Sequence, residues 1–110
     1  MWDVRSVYKS HFRSLFAWRS GCLRLACEDY RSAKGRFPTM LAELVPDFIA
    51  AVPRDPYDGR PIRYNAERGY FWTPGPDGVF DGKVDFAKDG YPTWKNRNYH
   101  FVQLLDMTNR

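Results

Sequence analysis

The chain has 110 residues, of which 44% are hydrophobic and 17% aromatic, enough for one domain with a modest core. This composition excludes bulk disorder, and eight glycines and eight prolines indicate many turns. The formal net charge of +4 is uneven, because residues 1–37 hold eight Lys/Arg against three Asp/Glu. A basic segment of this kind favours anionic lipid, nucleic acid or an acidic protein face, or is simply a solvated helix face.

Residues 3–34 are predicted to form one long helix. Gly21 weakens its middle, so a kink or two shorter helices is an alternative. Gly35, followed by Pro38, is the expected stop signal. Apolar residues recur along the segment at steps of mostly three or four and form one stripe, which Phe16 and Leu23 widen: Val4, Tyr8, Phe12, Leu15, Cys22, Ala26, Tyr30 and Ala33.

The two cysteines, Cys22 and Cys27, point about 140° apart on this helix, so an intrahelical disulfide is not expected. We predict them to be buried small hydrophobes, with an intermolecular bridge as the alternative. The sequence has no run of about 20 apolar residues and no signal-peptide core. It is therefore interpreted as a cytoplasmic chain or as a piece of a longer, targeted protein.

Residues 35–61 are predicted to hold a short helix followed by turns. Thr39 is the expected cap, and Leu41, Leu44 and Val45 are the expected apolar face. Pro46 would end this helix. The stretch "VPRDPYDG" then reads as successive turns, because proline fixes φ and Asp-Gly suits positive φ.

Residues 62–110 are predicted to form an antiparallel sheet with an Asp/Gly-rich loop at 75–90. "PIRYN" and "RGYFWTP" read as a hairpin with Ile62 and Tyr64 on one face. "NYHFVQLLD" is a third strand, which would alternate Tyr99, Phe101 and Gln103 with His100, Val102 and Leu104. The whole chain is then a single α+β domain, residues 1–110, with a long helix packed on a small antiparallel sheet.

The loop "GPDGVFDGKVDFAKDG" carries an aspartate at every fourth position: Asp77, Asp81, Asp85 and Asp89. Its glycines and proline favour a loop over a helix. Carboxylates and backbone carbonyls in a flexible loop are the oxygen ligands that calcium prefers. The EF-hand pattern is absent, however, and Asp-Gly is also ordinary turn chemistry, so both interpretations stay open.

Signatures of catalysis are weak. His11 and His100 are the only histidines, and neither lies in a recognisable nucleophile turn. No phosphate-binding glycine loop or zinc spacing occurs. "YPTWKNRNYHF" combines rings and basic groups that suit single-stranded nucleic acid, but these residues equally suit the end of a sheet. Since the sheet half of the chain is not basic, nucleic-acid binding is not favoured, and we predict a protein that is not an enzyme.

The linked order of four segments is more specific than any one of them: "CEDYRSAKGRFP", "TMLAELVP", "VPRDPYDGRPIRYN" and "GYFWTPGPDGVFDG". Over about residues 24–85, this order resembles the C-terminal globular domain of type II secretion major pseudopilins and related pilin-like proteins. The resemblance implies a pilin-like scaffold, in which turns hold a small sheet against the helix.

The resemblance also implies a calcium site in the loop after the aromatic strand. Asp77 falls on the Gly-x-Asp-Gly ligand and Pro74 on the preceding carbonyl donor. Asp81 and Asp85 are candidates for the later carboxylates, although their spacing differs from that of the family. Two further departures are the basic, amphipathic N-terminus, in place of an apolar leader and helix, and the long aromatic tail at 86–110.

The expected function is that of a non-enzymatic structural subunit, which assembles with itself or with other pilin-like subunits into a filament or a secretion or envelope complex. Four basic residues would face acidic partners or lipid headgroups: Arg5, Lys9, Arg13 and Arg19. The expected location is the cell envelope, periplasmic or extracellular, or the cytoplasm if residue 1 is the true start. The alternative is a soluble adaptor or ligand-binding module that uses the same scaffold without forming filaments.

Overall fold

The computed structural model of the chain describes residues 4–84 and 102–105, with side chains from residue 11 onward. A long helix packs on a small antiparallel sheet with strand order β1-β2-β3, which confirms the predicted α+β arrangement. The elements are helix α1 (Val4–Lys34), a 3-10 helix (Leu41–Leu44) and strands β1 (Arg63–Asn65), β2 (Tyr70–Trp72) and β3 (Val102–Leu104).

Helix α1 is continuous, so the alternative of two shorter helices is wrong. It ends as predicted, because Gly35 adopts φ +82° and its N–H donates to the Arg31 carbonyl at 2.8 Å. The buried side differs in part from the predicted stripe, since Ala33 is exposed and Cys22 only half-buried. The side chains of α1 in the core are Phe16, Leu23, Ala26, Cys27 and Tyr30.

The predicted short helix after α1 is a single 3-10 turn, Leu41–Leu44. Leu41 and Leu44 are buried as predicted, but Val45 is 37% exposed. At three residues per turn, positions 41 and 44 share one face and position 45 does not. The predicted cap at Thr39 is also wrong, because Met40 is the N-cap residue, while the Thr39 N–H donates to the Glu43 carboxylate at 2.6 Å.

A tight hairpin joins β1 to β2, as the sequence predicts. Gly69 has φ +79° and donates its N–H to the Asn65 carbonyl at 2.8 Å. Ile62 is buried, and Tyr64 packs against the same core and donates its hydroxyl to the Pro38 carbonyl at 2.8 Å. The predicted shared face of Ile62 and Tyr64 is therefore confirmed.

Strand β3 pairs with β2, placing Leu104 opposite Tyr70 and Gln103 opposite Phe71. Phe71 is fully buried at the centre of the sheet, and Leu105 closes the core beside it. The prediction of a third strand is confirmed for Val102–Leu104. The predicted positions of Tyr99, His100 and Phe101 lie outside the described residues.

Candidate functional site

The first half of the Asp/Gly-rich segment is a loop, as predicted. After β2, the Pro74 carbonyl accepts the Phe80 N–H at 3.3 Å, and the Gly75 carbonyl accepts the Gly78 N–H at 3.3 Å. These bonds fold residues 74–80 into a compact turn. The Pro74 carbonyl oxygen, a predicted calcium ligand, thus already accepts one hydrogen bond. A cation would bind the second lone pair of this oxygen.

Asp77 and Asp81 lie in this loop in equivalent local geometry. The Oδ1 atom of Asp77 accepts the Val79 N–H at 3.1 Å, and that of Asp81 accepts the Lys83 N–H at 3.0 Å. Both residues are exposed. Each carboxylate therefore closes a local turn through one oxygen, while no hydrogen bond to the other oxygen occurs among the described residues.

The donor chemistry of the loop suits a hard cation, because it consists of carboxylate and carbonyl oxygens. Across residues 11–84 and 102–105, however, the structure brings no three His, Cys, Asp or Glu side chains into a metal-binding group. Asp85, the remaining predicted ligand, lies outside the described residues. The structure thus places Pro74, Asp77 and Asp81 in one loop without assembling a complete set of ligands.

Aromatic contacts hold the end of this loop against the sheet. The Tyr70 hydroxyl donates to the Gly82 carbonyl at 2.6 Å, and the rings of Trp72 and Phe80 meet edge to face at 5.9 Å. Gly82 has φ +82°, and a Cβ atom there would collide with the Trp72 ring. Only glycine fits at this position, so the loop approaches the sheet closely and in a fixed path.

A second polar cluster surrounds Asp55, in a segment whose sequence predicts only turns. This carboxylate is fully buried. Its Oδ2 accepts the Arg63 guanidinium at 2.9 Å and also the Thr73 hydroxyl, while its Oδ1 accepts the Tyr57 N–H at 2.8 Å. Three hydrogen bonds from the chain itself therefore hold this buried carboxylate, as is typical of a group that stabilises the fold.

Arg63 connects this cluster to the surface. Its second amino group binds the Asp58 carboxylate at 2.6 Å, and its guanidinium lies 5.5 Å from the centre of the Trp72 ring. The hydrogen bond from Arg63 lowers the pKa of the Asp58 carboxyl. The sequence signal for this cluster is the "RDPYDG" turn followed by an arginine on the next strand. Thr73, the buried partner of Asp55, has no such local signal because it lies 18 residues after Asp55.

The side of α1 that faces away from the sheet carries large apolar groups. Trp18 is 72% exposed and Leu25 is 57% exposed. Seven residues apart, they lie two turns apart on nearly the same face of the helix. Gly21 lies between them. A Cβ atom placed on Gly21 would have no neighbour within 4 Å among the described residues. This apolar face, Trp18–Gly21–Leu25, is here called the outer face of α1.

Of the two histidines, which are weak candidates for catalysis, only His11 lies in the part of the chain that the structure describes. His11 is exposed and its ring lies 6.0 Å from that of Phe12. His100 lies outside that part. Cys22 and Cys27 are both free thiols, and burial raises the pKa of Cys27 from 9.0 to about 12, which makes it a poor nucleophile.

Comparison of the chain with protein-family models, with curated proteins and with solved structures gives no significant match. Within the described residues, no helix is both long and apolar enough to cross a membrane.

Proposed function

We propose that this chain is a non-enzymatic structural subunit with a pilin-like scaffold, which assembles with itself or with similar subunits in the cell envelope. The observation that carries the proposal is the outer face of α1. Trp18 and Leu25 expose apolar side chains on both sides of Gly21, where a neighbouring backbone has room to approach closely. Large apolar groups grouped on one surface are typical of protein–protein contacts.

The packing of the other side of α1 supports this proposal. Leu23 and Cys27 are completely buried against the sheet, so the helix is held firmly in the domain. A rigid helix presents its outer face without an ordering cost, which favours association. The linked turns that resemble pilin-like proteins hold this arrangement in place, since they fix the path from α1 to β1.

Self-association can be tested with Trp18→Glu and Leu25→Glu. We expect the wild-type chain to form oligomers whose mass rises with concentration, and each substitution to weaken association about tenfold or more, because it buries a charge at the contact. Analytical ultracentrifugation and negative-stain electron microscopy measure this. Val79→Glu is the matched control, since Val79 is 75% exposed but lies in the loop, away from α1.

A wild-type chain that stays monomeric at all concentrations would contradict the self-assembly proposal and favour a soluble adaptor or ligand-binding module. Equal weakening by Val79→Glu would also contradict it, because charge rather than the outer face would then govern association.

We further propose that the loop at 74–84 is stabilised by calcium, with Asp77 as the first ligand. Asp77→Asn separates this proposal from simple turn formation. The amide oxygen of asparagine can still accept the Val79 N–H, so the turn is kept while the charge on the ligand is lost. Support comes from the oxygen-rich donor set of the loop and its fixed position against the sheet.

We expect millimolar calcium to raise the melting temperature of the wild-type chain by mass action, with little rise for Asp77→Asn. Differential scanning calorimetry with and without a chelator measures the effect. Asp47→Asn is the control, because Asp47 is exposed in a different turn. A calcium response that is absent from the wild type, or unchanged in Asp77→Asn, would leave the aspartates as turn formers only.

A further inference from the structure

A basic surface forms where the N-terminal half of α1 meets the turn after Pro53. Arg19 donates from Nη1 to the Arg54 carbonyl at 2.9 Å, and Arg54 donates to the Gly59 carbonyl at 2.8 Å. The Phe12 ring meets Tyr57 edge to face at 5.6 Å. These two segments carry four arginines, which we call the Tyr57 patch: Arg13, Arg19, Arg54 and Arg60.

Arg13 belongs to this patch because it directly follows Phe12, whose ring contacts Tyr57. Burial raises the pKa of the Tyr57 hydroxyl, and the nearby Arg13 opposes that rise. Arg13, Arg54 and Arg60 are exposed, and Arg19 is half-buried. Sequence spacing alone does not reveal the patch, since two of its members follow the other two by about 40 residues.

The nearest carboxylates neutralise the patch only in part, because its four arginines and Arg63 carry five positive charges against the two negative charges of Asp55 and Asp58. Asp55 and Asp58, the acidic residues of the same turn, are both bound by Arg63, at 2.9 and 2.6 Å. Among the described residues, none of the four arginines of the patch forms an ion pair with a carboxylate. The surface therefore presents several guanidinium groups to an external anion.

We propose that the Tyr57 patch docks on the phosphate-bearing headgroups of an anionic lipid surface. Guanidinium groups bind phosphate oxygens through paired N–H donors, and clustered arginines are attracted to anionic leaflets. The same patch on a second copy of the chain is a poorer partner, because both surfaces carry positive charge. Single-stranded nucleic acid requires exposed ring faces for stacking, whereas Tyr57 is half-buried against Phe12.

The proposal is tested by co-sedimentation of the chain with vesicles of equal parts phosphatidylglycerol and phosphatidylcholine, compared with pure phosphatidylcholine. We expect binding to the anionic vesicles only, weakened by added salt. Arg13→Gln/Arg60→Gln should weaken this binding about 20-fold. Neither side chain donates a hydrogen bond within the described residues, so the fold should be retained, which circular dichroism checks.

The matched control is Arg24→Gln/Lys34→Gln, which removes the same charge from exposed positions of α1 outside the patch. We expect it to weaken binding less than about threefold. Equal losses in the two double variants, or no binding to anionic vesicles, would overturn the proposal. Binding of a single-stranded oligonucleotide that depends on Arg13 and Arg60, without binding to vesicles, would overturn it in favour of nucleic acid.

The vesicle experiment is independent of self-association through the outer face of α1. Trp18→Glu and Leu25→Glu leave the four arginines of the Tyr57 patch unchanged. If these variants are monomeric but still bind anionic vesicles, both proposals stand. If the wild type is monomeric and binds vesicles, the lipid-docking proposal is supported and the self-assembly proposal is contradicted.

Discussion

Asp55 shows how a single residue links distant parts of this chain. Its buried carboxylate receives Arg63 from β1, the Thr73 hydroxyl from the end of β2 and the Tyr57 N–H from its own turn. Its backbone N–H also donates to the Arg60 carbonyl at 2.6 Å. One side chain therefore fixes the turn against both strands of the hairpin, and this turn carries two arginines of the Tyr57 patch.

We predict that Asp55→Asn destabilises the fold by about 3 kcal/mol, because it leaves the Arg63 guanidinium facing an amide instead of a buried carboxylate. Urea unfolding followed by circular dichroism measures the change. Asp58→Asn is the control, because Asp58 binds the same arginine at the surface and should cost less than about 1 kcal/mol. Equal losses of stability for the two variants would contradict the prediction, because the Asp58 carboxylate would then stabilise Arg63 as much as the buried Asp55 carboxylate does.

Among the elements, those with local signals were predicted best. The end of α1 follows from Gly35, and the β1–β2 hairpin follows from the alternation of side chains and from Gly69. Both signals lie within a few residues of the structure they specify. The short helix was predicted in the right place, but Val45 was wrongly assigned to its buried face, because a 3-10 helix has three residues per turn and Val45 does not share the face of Leu41 and Leu44.

The candidate sites depend on contacts between elements, so the sequence predicted them less completely. The aspartate loop could be recognised from its composition, but its close approach to the Trp72 ring could not. The Tyr57 patch joins α1 to a turn about 40 residues later, and the Asp55 cluster joins a turn to the end of β2. Such pairings are set by tertiary packing, which no local periodicity encodes.

At the scale of the whole molecule, α1 separates the functional surfaces that we propose. Its inner side packs on the sheet through Leu23 and Cys27, and its outer face presents Trp18 and Leu25. The Tyr57 patch lies beside its N-terminal half. The stability of the helix–sheet contact therefore determines whether both proposed surfaces are presented in a fixed geometry.

This contact contains two groups that resist ionisation, so we predict that the fold loses stability at alkaline pH. Burial raises the pKa of the Cys27 thiol from 9.0 to about 12, and burial also raises the pKa of the Tyr64 hydroxyl. The unfolded chain releases these protons at lower pH than the folded chain. The stabilisation from the protonated thiol is thus complete below about pH 9 and declines as the pH rises toward 12.

The measurement is the free energy of unfolding in urea at a series of pH values from 7 to 11. Cys27→Ala should lower stability at pH 7, by about 1–2 kcal/mol for the lost packing, but should also flatten its decline above pH 9. Cys22→Ala is the control for the loss of a thiol from the same helix, since Cys22 is only half-buried. If Cys27→Ala keeps the full alkaline slope, the thiol is not the group that couples folding to pH.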